Sequence, residues 1–262
     1  MKTTWFVQTN MSESYWSSLK TACEEVGRDF VGFTLIPFSH EIVGIDPVDP
    51  FVLMGSTTLH TIGVDSLKFN KGLFFDYESF KPSTYLKHHS SNMLNDDLAV
   101  TLIKDVKNLG HKYSPDSEIF IRSNNDSKQI SGGTCVFQDL LDISKNTEEF
   151  YLAGDLMSPD SEVCIASVKD IISEYRLVFI EDNLISCSQY RPEPDSFVEE
   201  DVKTFAKECA KKWTPNAVCV MDVARTDSGL KIIEFNSFNG SGFYKCNLAN
   251  IIQDVSNYKE NK

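Results

Sequence analysis

Two carboxylates and a carboxamide towards the C-terminal end of the chain have the spacing of a hard-cation site. Asp222 stands in V-M-D-V-A-R (220–225), and Glu234 and Asn236 in I-I-E-F-N-S (232–237). Both stretches read as strands, joined by Asp227-Ser228-Gly229, where Gly229 suits the left-handed position of a type I turn plus bulge. A three-residue loop sets Asp222 opposite Glu234, with Asn236 one step further along the same face. Two carboxylates at cross-strand distance repel unless a cation lies between them. With the asparagine oxygen they form an all-oxygen set of the kind Mg²⁺ takes, usually together with a substrate phosphate. The competing reading is a solvated sheet edge carrying scattered polar residues.

Three cations stand in or beside apolar stretches. Arg122 ends the strand E-I-F-I-R (118–122), Lys128 follows in the polar loop S-N-N-D-S-K, and Arg176 lies inside S-E-Y-R-L-V-F. Arginine and lysine projecting from strands suit a triphosphate; pairing with local carboxylates, Glu174 with Arg176, is the bland alternative. Arg176 belongs to a second hairpin, 174–180 returning through 184–190 around Glu181-Asp182-Asn183. A three-residue loop puts Ile180 opposite Leu184 and Arg176 opposite Ser188, with Glu174, Arg176, Ser188 and Tyr190 on one face.

Other elements must position these groups. Strands are expected at 5–8, 32–37, 51–55, 118–122 and 163–168. Helices are expected at 12–26 (Tyr15, Leu19 and Ala22 inward), 137–143 and 198–213 (Val198, Val202, Phe205, Cys209 and Trp213 inward). A further helix is expected at 96–109, capped by Asn95, striped by Leu98, Leu102, Val106 and Leu109, and ended by Gly110. The first 65 or so residues carry an α/β pattern without a phosphate-binding glycine fingerprint. The strand at 51–55 ends in a small-residue turn that either meets a ligand or simply turns.

Composition narrows the function classes. The chain has 262 residues, 41% hydrophobic, and a net charge of −13. A sizeable core is available, while the acidic balance disfavours nucleic-acid and anionic-membrane partners. Seven cysteines without a C-x-x-C pair point to reduced, buried thiols and a cytoplasmic setting rather than disulfides or zinc. No apolar run reaches membrane-spanning length, and the five histidines lack metal-ligand spacing.

The array resembles the ATP-grasp superfamily, and within it the divergent clade named for two arginines and a lysine. That clade has bacterial and phage members and a eukaryotic factor that helps assemble a translation initiation complex. The matching stretches are F-I-R-S-N-N-D-S-K-Q-I-S-G-G (120–133), S-E-Y-R-L-V-F-I with its return to S-Q-Y (173–190), V-M-D-V-A-R (220–225) and I-I-E-F-N-S-F-N-G-S-G-F-Y (232–244). G-L-F-F-D-Y-E-S-F with M-L-N (72–95) is also similar to the start of the family's domain. Where the family often has proline after the first arginine, this chain has Ser123.

The resemblance implies an α+β ATP-grasp fold, two lobes clasping ATP over residues 66–262, preceded by a small α/β domain over 1–65. It implies that Arg122, Lys128 and Arg176 contact phosphates or an acyl phosphate, and that Asp222, Glu234 and Asn236 hold Mg²⁺. The strand at 163–168 would be the hinge whose backbone reads adenine, with Ile165, Ser167 and Val168 in the ATP-binding set beside Glu174, Tyr190 and Asp222. Tyr190 and the loop 239–244 would lie towards the second substrate.

The activity so implied is ATP-dependent carboxylate–amine ligation through an acyl phosphate, on a peptide, protein or small molecule. It needs no protein nucleophile, and no convincing Ser-His-Asp or Cys-His set occurs. A rival from another class is a MgATP-binding assembly factor or regulator that ligates nothing. A third, a metal-dependent hydrolase built on Asp222 and Glu234, lacks an evident general base.

Overall fold

A computed structural model of the chain describes residues 1–36, 41–125, 130, 132–152 and 155–262. Its frame is three four-stranded sheets. The first is built from β1 (Thr4–Gln8), β2 (Asp29–Ile36), β3 (Glu41–Val43) and β4 (Phe51–Met54) in the order β3-β2-β1-β4. Here β1 runs parallel to both β2 and β4. Parallel strands need crossovers, and α1 (Glu13–Glu25) supplies the first, burying Leu19, Ala22 and Cys23. Helix α2 (Thr57–Val64) follows β4, and α3 (Pro82–His89) begins on a proline, which suits a first-turn position.

The second sheet contains β5 (Ala99–Leu102), β6 (Glu118–Ser123), β7 (Gly133–Val136) and, after α4 (Phe137–Ile143) and the short hairpin of β8 (Phe150–Leu152) and β9 (Asp155–Met157), β10 (Glu162–Ser167). Its order is β5-β10-β6-β7. The helix expected at 96–109 is not there. Residues 99–102 pair with β10, Val100 against Cys164, and 103–109 form a 3₁₀ turn. Two forces decide this. Val100 and Thr101 are β-branched, and β10 would otherwise lack a partner on that side. Ile103, Val106 and Leu109, three apart, share one face of a 3₁₀ helix, and the first two are fully buried.

The third sheet holds the candidate chemistry. It is formed by β11 (Ser173–Ile180), β12 (Asn183–Arg191), β13 (Val218–Thr226) and β14 (Gly229–Ser237), ordered β12-β11-β13-β14 and antiparallel throughout. On one face, Tyr175, Leu177, Phe179, Cys219, Met221 and Val223 pack with α5 (Glu200–Lys212). The other face divides along its length. Val178, Val218 and Val220 join Trp5, Val7, Val52 and Met54 of the first sheet and Ile251, Ile252 and Val255 of α6 (Leu248–Glu260) in one core. Beyond that core the same alternation turns Glu174, Arg176 and Asp222 towards a cleft facing the second sheet.

Contacts between distant parts of the chain complete the frame. The Trp5 indole donates to the Ser256 hydroxyl (2.9 Å) and the Thr3 N–H to Glu260 (2.7 Å), stitching β1 to α6. Asn239, fully buried, donates to the carbonyls of Leu53 (2.6 Å) and Gly72 (3.0 Å) and accepts from the Phe74 N–H (2.7 Å). No described helix is long and apolar enough to cross a membrane.

Candidate functional site

The cleft between the second and third sheets has a volume of about 680 Å³. Arg122 enters it from β6, Glu174 and Arg176 from β11, Tyr190 and Arg191 from β12, Asp222 from β13 and Glu234 from β14. Gly132 and Gly133 close one side, and Val168, Lys169 and Ile171 line the passage from β10 to β11. Gly132 has a φ of +100°, which a side chain would strain.

Register brings the charged groups together. Asp222 lies opposite Glu234 on β14 and opposite Arg176 on β11, while Arg176 lies opposite Ser188. These pairings match the sequence reading although both turns differ from it. Each hairpin turns on two residues, Ile180 facing Asn183 and Thr226 facing Gly229. A bulge on the return strand then restores the register, at Ile185 in one hairpin and at Ile233 in the other. The β14 bulge turns both Ile233 and Glu234 into the cleft.

The carboxylates that face each other are neutralised by guanidinium groups. Arg176 grips Asp222 with two hydrogen bonds, Nε to Oδ1 at 2.9 Å and Nη2 to Oδ2 at 2.7 Å, and its Nη1 donates to the Gly242 carbonyl at 2.6 Å. Arg122 donates to Glu234 at 2.6 Å. Burial works against charge on Arg176, yet Asp222 beside it outweighs burial and holds the pKa above the ordinary arginine value. Burial likewise opposes charge on Arg122, and Tyr85 and Glu234 overcome it.

Asn236 bridges the pair. Its amide nitrogen donates to Asp222 and to Glu234, both at 3.1 Å, while its Oδ1 is buried with no hydrogen-bond partner among the described residues. A half-turn of the carboxamide exchanges nitrogen for oxygen on the side of the carboxylates. The donor chemistry of Asp222, Glu234 and Asn236 therefore fits a hard cation: two charged oxygens, one neutral oxygen and an oxygen otherwise unsatisfied. No cluster of three or more His, Cys, Asp or Glu suited to a metal occurs among the described residues, so the fit rests on the asparagine as third donor.

A second constellation adjoins the first. Tyr190 donates to Glu174 at 2.5 Å, and Arg191 donates to the same carboxylate at 3.1 Å. Burial, Asp222 and Glu174 push the Tyr190 phenol upward, so it stays a donor. The Tyr190 and Tyr244 rings stack at 4.7 Å with 9° between planes, and the Arg176 guanidinium lies 5.7 Å and 4.8 Å from their centroids. Tyr244 adopts φ +48°, a costly conformation for a tyrosine, and is 55% exposed.

Other expected site residues fall elsewhere. Ile165 is fully buried within the second sheet, paired with Ile121 on one side and Ala99 on the other, and does not line the cleft. The Ser167 N–H donates to Asp97 (3.0 Å), whose pKa burial tends to raise but that N–H, Lys169 and the Ser167 hydroxyl bring down to about 2. Val168 does reach the cleft. In the loop 239–244, Asn239 faces the core, while Gly242 and Tyr244 reach the cleft. Lys128 lies outside the described residues. Ser123 is bonded twice to Ile130: its N–H donates to the Ile130 carbonyl (3.1 Å) and its hydroxyl accepts from the Ile130 N–H (2.7 Å), and a proline could make neither bond. Arg191, Lys169, Ile171 and Ile233 were not singled out by sequence. Ile233 had a signal, since Ile232-Ile233 breaks the apolar–polar alternation where the bulge falls.

Two four-stranded antiparallel sheets facing each other across a charged cleft define an ATP-grasp fold, and solved structures agree. The chain is similar to the D-cycloserine synthetase DcsG (TM-score 0.64, 10% identity, 98% of this chain and 99% of that one). It is similar to the RimK domain ATP-grasp protein of Sphaerobacter thermophilus DSM 20745 (TM-score 0.63, 13% identity, 97% and 99%). It is also similar to the ATP-grasp ligase PsnB complexed with a minimal precursor (TM-score 0.61, 10% identity, 99% and 100%). No curated protein matches the chain. Residues 101–253 match the family model described as ATP-grasp domain, R2K clade family 2, and the chain belongs to that family.

Proposed function

We propose that this protein is an ATP- and Mg²⁺-dependent carboxylate–amine ligase that works through an acyl phosphate. The observation that carries the reading is the convergence of Arg122 and Arg176 with Asp222, Glu234 and Asn236 in the cleft between the sheets. Family membership supports it, as does the PsnB structure with Mg and ADP.

In this reading Asp222, Glu234 and Asn236 hold Mg²⁺, which supplies charge neutralisation at the transferring phosphoryl group. Arg122 and Arg176, with Lys128, bind the remaining phosphate charge and later the acyl phosphate. Glu174 accepts from sugar hydroxyls, and Val168 with the neighbouring hinge backbone holds the base. The Tyr190–Tyr244 stack forms the wall on the side of the second substrate, where it excludes water and orients the acceptor amine. PsnB is seen with a precursor peptide, which favours a peptide or amino-acid acceptor here too. Residues 1–65 would act with that wall in choosing the acceptor.

A thermal melt with and without MgATP tests the site. Nucleotide at a hundred times its Kd stabilises by about 2.7 kcal/mol, a rise of roughly 5–10 °C at this chain length. Wild type is expected to shift and Glu234→Gln to shift far less. ADP release that requires both a carboxylate and an amine, in pools of amino acids and peptides, would then mark the ligase. MgATP binding without turnover in any pool would point to an assembly factor. No shift in wild type would remove the basis for both.

A further inference from the structure

Three arginines reach the cleft, and each holds a carboxylate: Arg122 on Glu234, Arg176 on Asp222 and Arg191 on Glu174. The first two pairs are withdrawn from solvent. Side-chain exposure is 9% and 19% for Arg122 and Glu234, and 9% and 2% for Arg176 and Asp222. Each joins a group suited to phosphate with a group suited to a divalent cation, so each charge in these pairs is already answered within the protein, although the Arg122 Nε is buried with no hydrogen-bond partner among the described residues.

A triphosphate arriving alone must draw Arg122 and Arg176 off their partners. It would leave a buried carboxylate, Asp222, and a half-buried one, Glu234, facing phosphate oxygens. A divalent cation arriving alone must draw off the carboxylates and leave two buried guanidinium groups. Removing one partner of a buried pair costs far more than replacing both. Only joint arrival re-pairs every charge, the carboxylates with the cation and the arginines with phosphate. Asn236 adds a third contact to be exchanged, since its amide N–H groups hold both carboxylates.

Resting on the site reading above, we propose that Arg122–Glu234 and Arg176–Asp222 act as an internal lock that makes nucleotide and divalent-cation binding mutually dependent. Glu234 and Asp222 are then more than ligands. They compete with the triphosphate for the arginines until a cation takes them.

The lock predicts a change of sign. Glu234→Gln removes a cation ligand, and so weakens MgATP binding, but it also releases Arg122, and so strengthens binding of ATP in EDTA. Calorimetric titration of the folded full chain with ATP in EDTA, and with MgATP, reads both. In EDTA the variant should bind ATP at least about tenfold more tightly than wild type, a coupling of the size found between contacting groups. Removing a negative charge from the cleft would by itself favour ATP, so a double-mutant cycle separates the two causes. In an Arg122→Gln background the gain from Glu234→Gln should fall to a small fraction of its size. Metal-free affinity in Glu234→Gln no higher than wild type, or an equal gain in both backgrounds, overturns the lock. Should Glu234→Gln fail to melt cooperatively, Asp222→Asn with Arg176→Gln provides the same cycle on the other pair. Wild type that binds no MgATP would instead bring down the site reading beneath it; wild type that binds MgATP and metal-free ATP equally well would bring down the lock alone.

Discussion

Asn236 occupies the point where the charges of the cleft balance. Its amide nitrogen holds two carboxylates that two arginines already grip, and its oxygen has no partner among the described residues. Replacing it by aspartate puts a third carboxylate against the other two and removes both donated bonds. Asn236→Asp should therefore lose about 2–4 kcal/mol of stability, and millimolar Mg²⁺ without nucleotide should recover much of the lost Tm. Wild type should respond to Mg²⁺ alone far less, because its carboxylates are engaged. Equal response of the two proteins would argue against a cation site here. Much at this scale was legible in sequence. Asp222, Glu234 and Asn236 announce themselves because strand alternation puts them on one face and three oxygens share one chemistry. What was not legible was their pairing. The notion that only an external cation could reconcile Asp222 with Glu234 overlooked guanidinium groups arriving from β6 and β11, and a sequence carries no direct record of which distant strand faces which. Arg191 escaped for a related reason. Nothing local distinguishes it from a solvated arginine until Glu174 is found beside it.

Among elements, the two hairpins teach a similar lesson. A three-residue loop predicts the right partner for Asp222 and for Arg176, although each turn has two residues and a bulge makes up the difference. Each strand carries an apolar doublet at the bulge, Leu184-Ile185 and Ile232-Ile233, and that broken alternation is readable once its meaning is known. The expected helix at 96–109 failed because β10 recruited residues 99–102, with β-branched Val100 and Thr101 among them, from within a stretch whose leucine and valine spacing alone reads as helical. Helix α3 offers a test of how elements dock. His89, at its end, is 1% exposed, bonds the Trp213 carbonyl at 3.1 Å just past α5, and stacks on Phe235. Burial, set against the Trp213 hydrogen bond and reinforced by Lys212 and His88, lowers its pKa from 6.5 to about 4. The unfolded chain then takes up the proton first, so stability falls as pH drops through 6.5 and goes on falling until about 4. The full effect is about 3 kcal/mol. In His89→Gln, which keeps a donor, Tm measured between pH 7 and pH 4.5 should decline less steeply than in wild type. Identical slopes would mean that His89 titrates normally. Asp97, held down to about 2, contributes only below this window, where its own stabilisation is lost.

For the molecule as a whole, the second sheet has a core of its own, around Ile103, Ile119, Phe137 and Val163. The first and third sheets share one. Asn239 belongs to that shared body, reaching from just beyond β14 to the carbonyls of Leu53 and Gly72 and the N–H of Phe74. Asn239→Leu would leave those backbone groups buried and unpaired, at about 1–3 kcal/mol for each such group. Hydrogen exchange should show β4 and β14 losing protection together while β6 and β10 keep theirs. Loss confined to β14 would mean that the two sheets are not one cooperative unit. The joint core also has a consequence for the order of synthesis. Trp5 and Val7 are made about 250 residues before Ile251, Ile252 and Val255, which join the same core, and the Trp5 indole waits for Ser256. Until α6 emerges, β1 and β4 can pack on α1 and on Val178, Val218 and Val220, but one part of their core stays open. A chain lacking α6 is thus left with apolar surface of that core uncovered for proteases and chaperones to find, so the fold itself marks molecules that lack this helix.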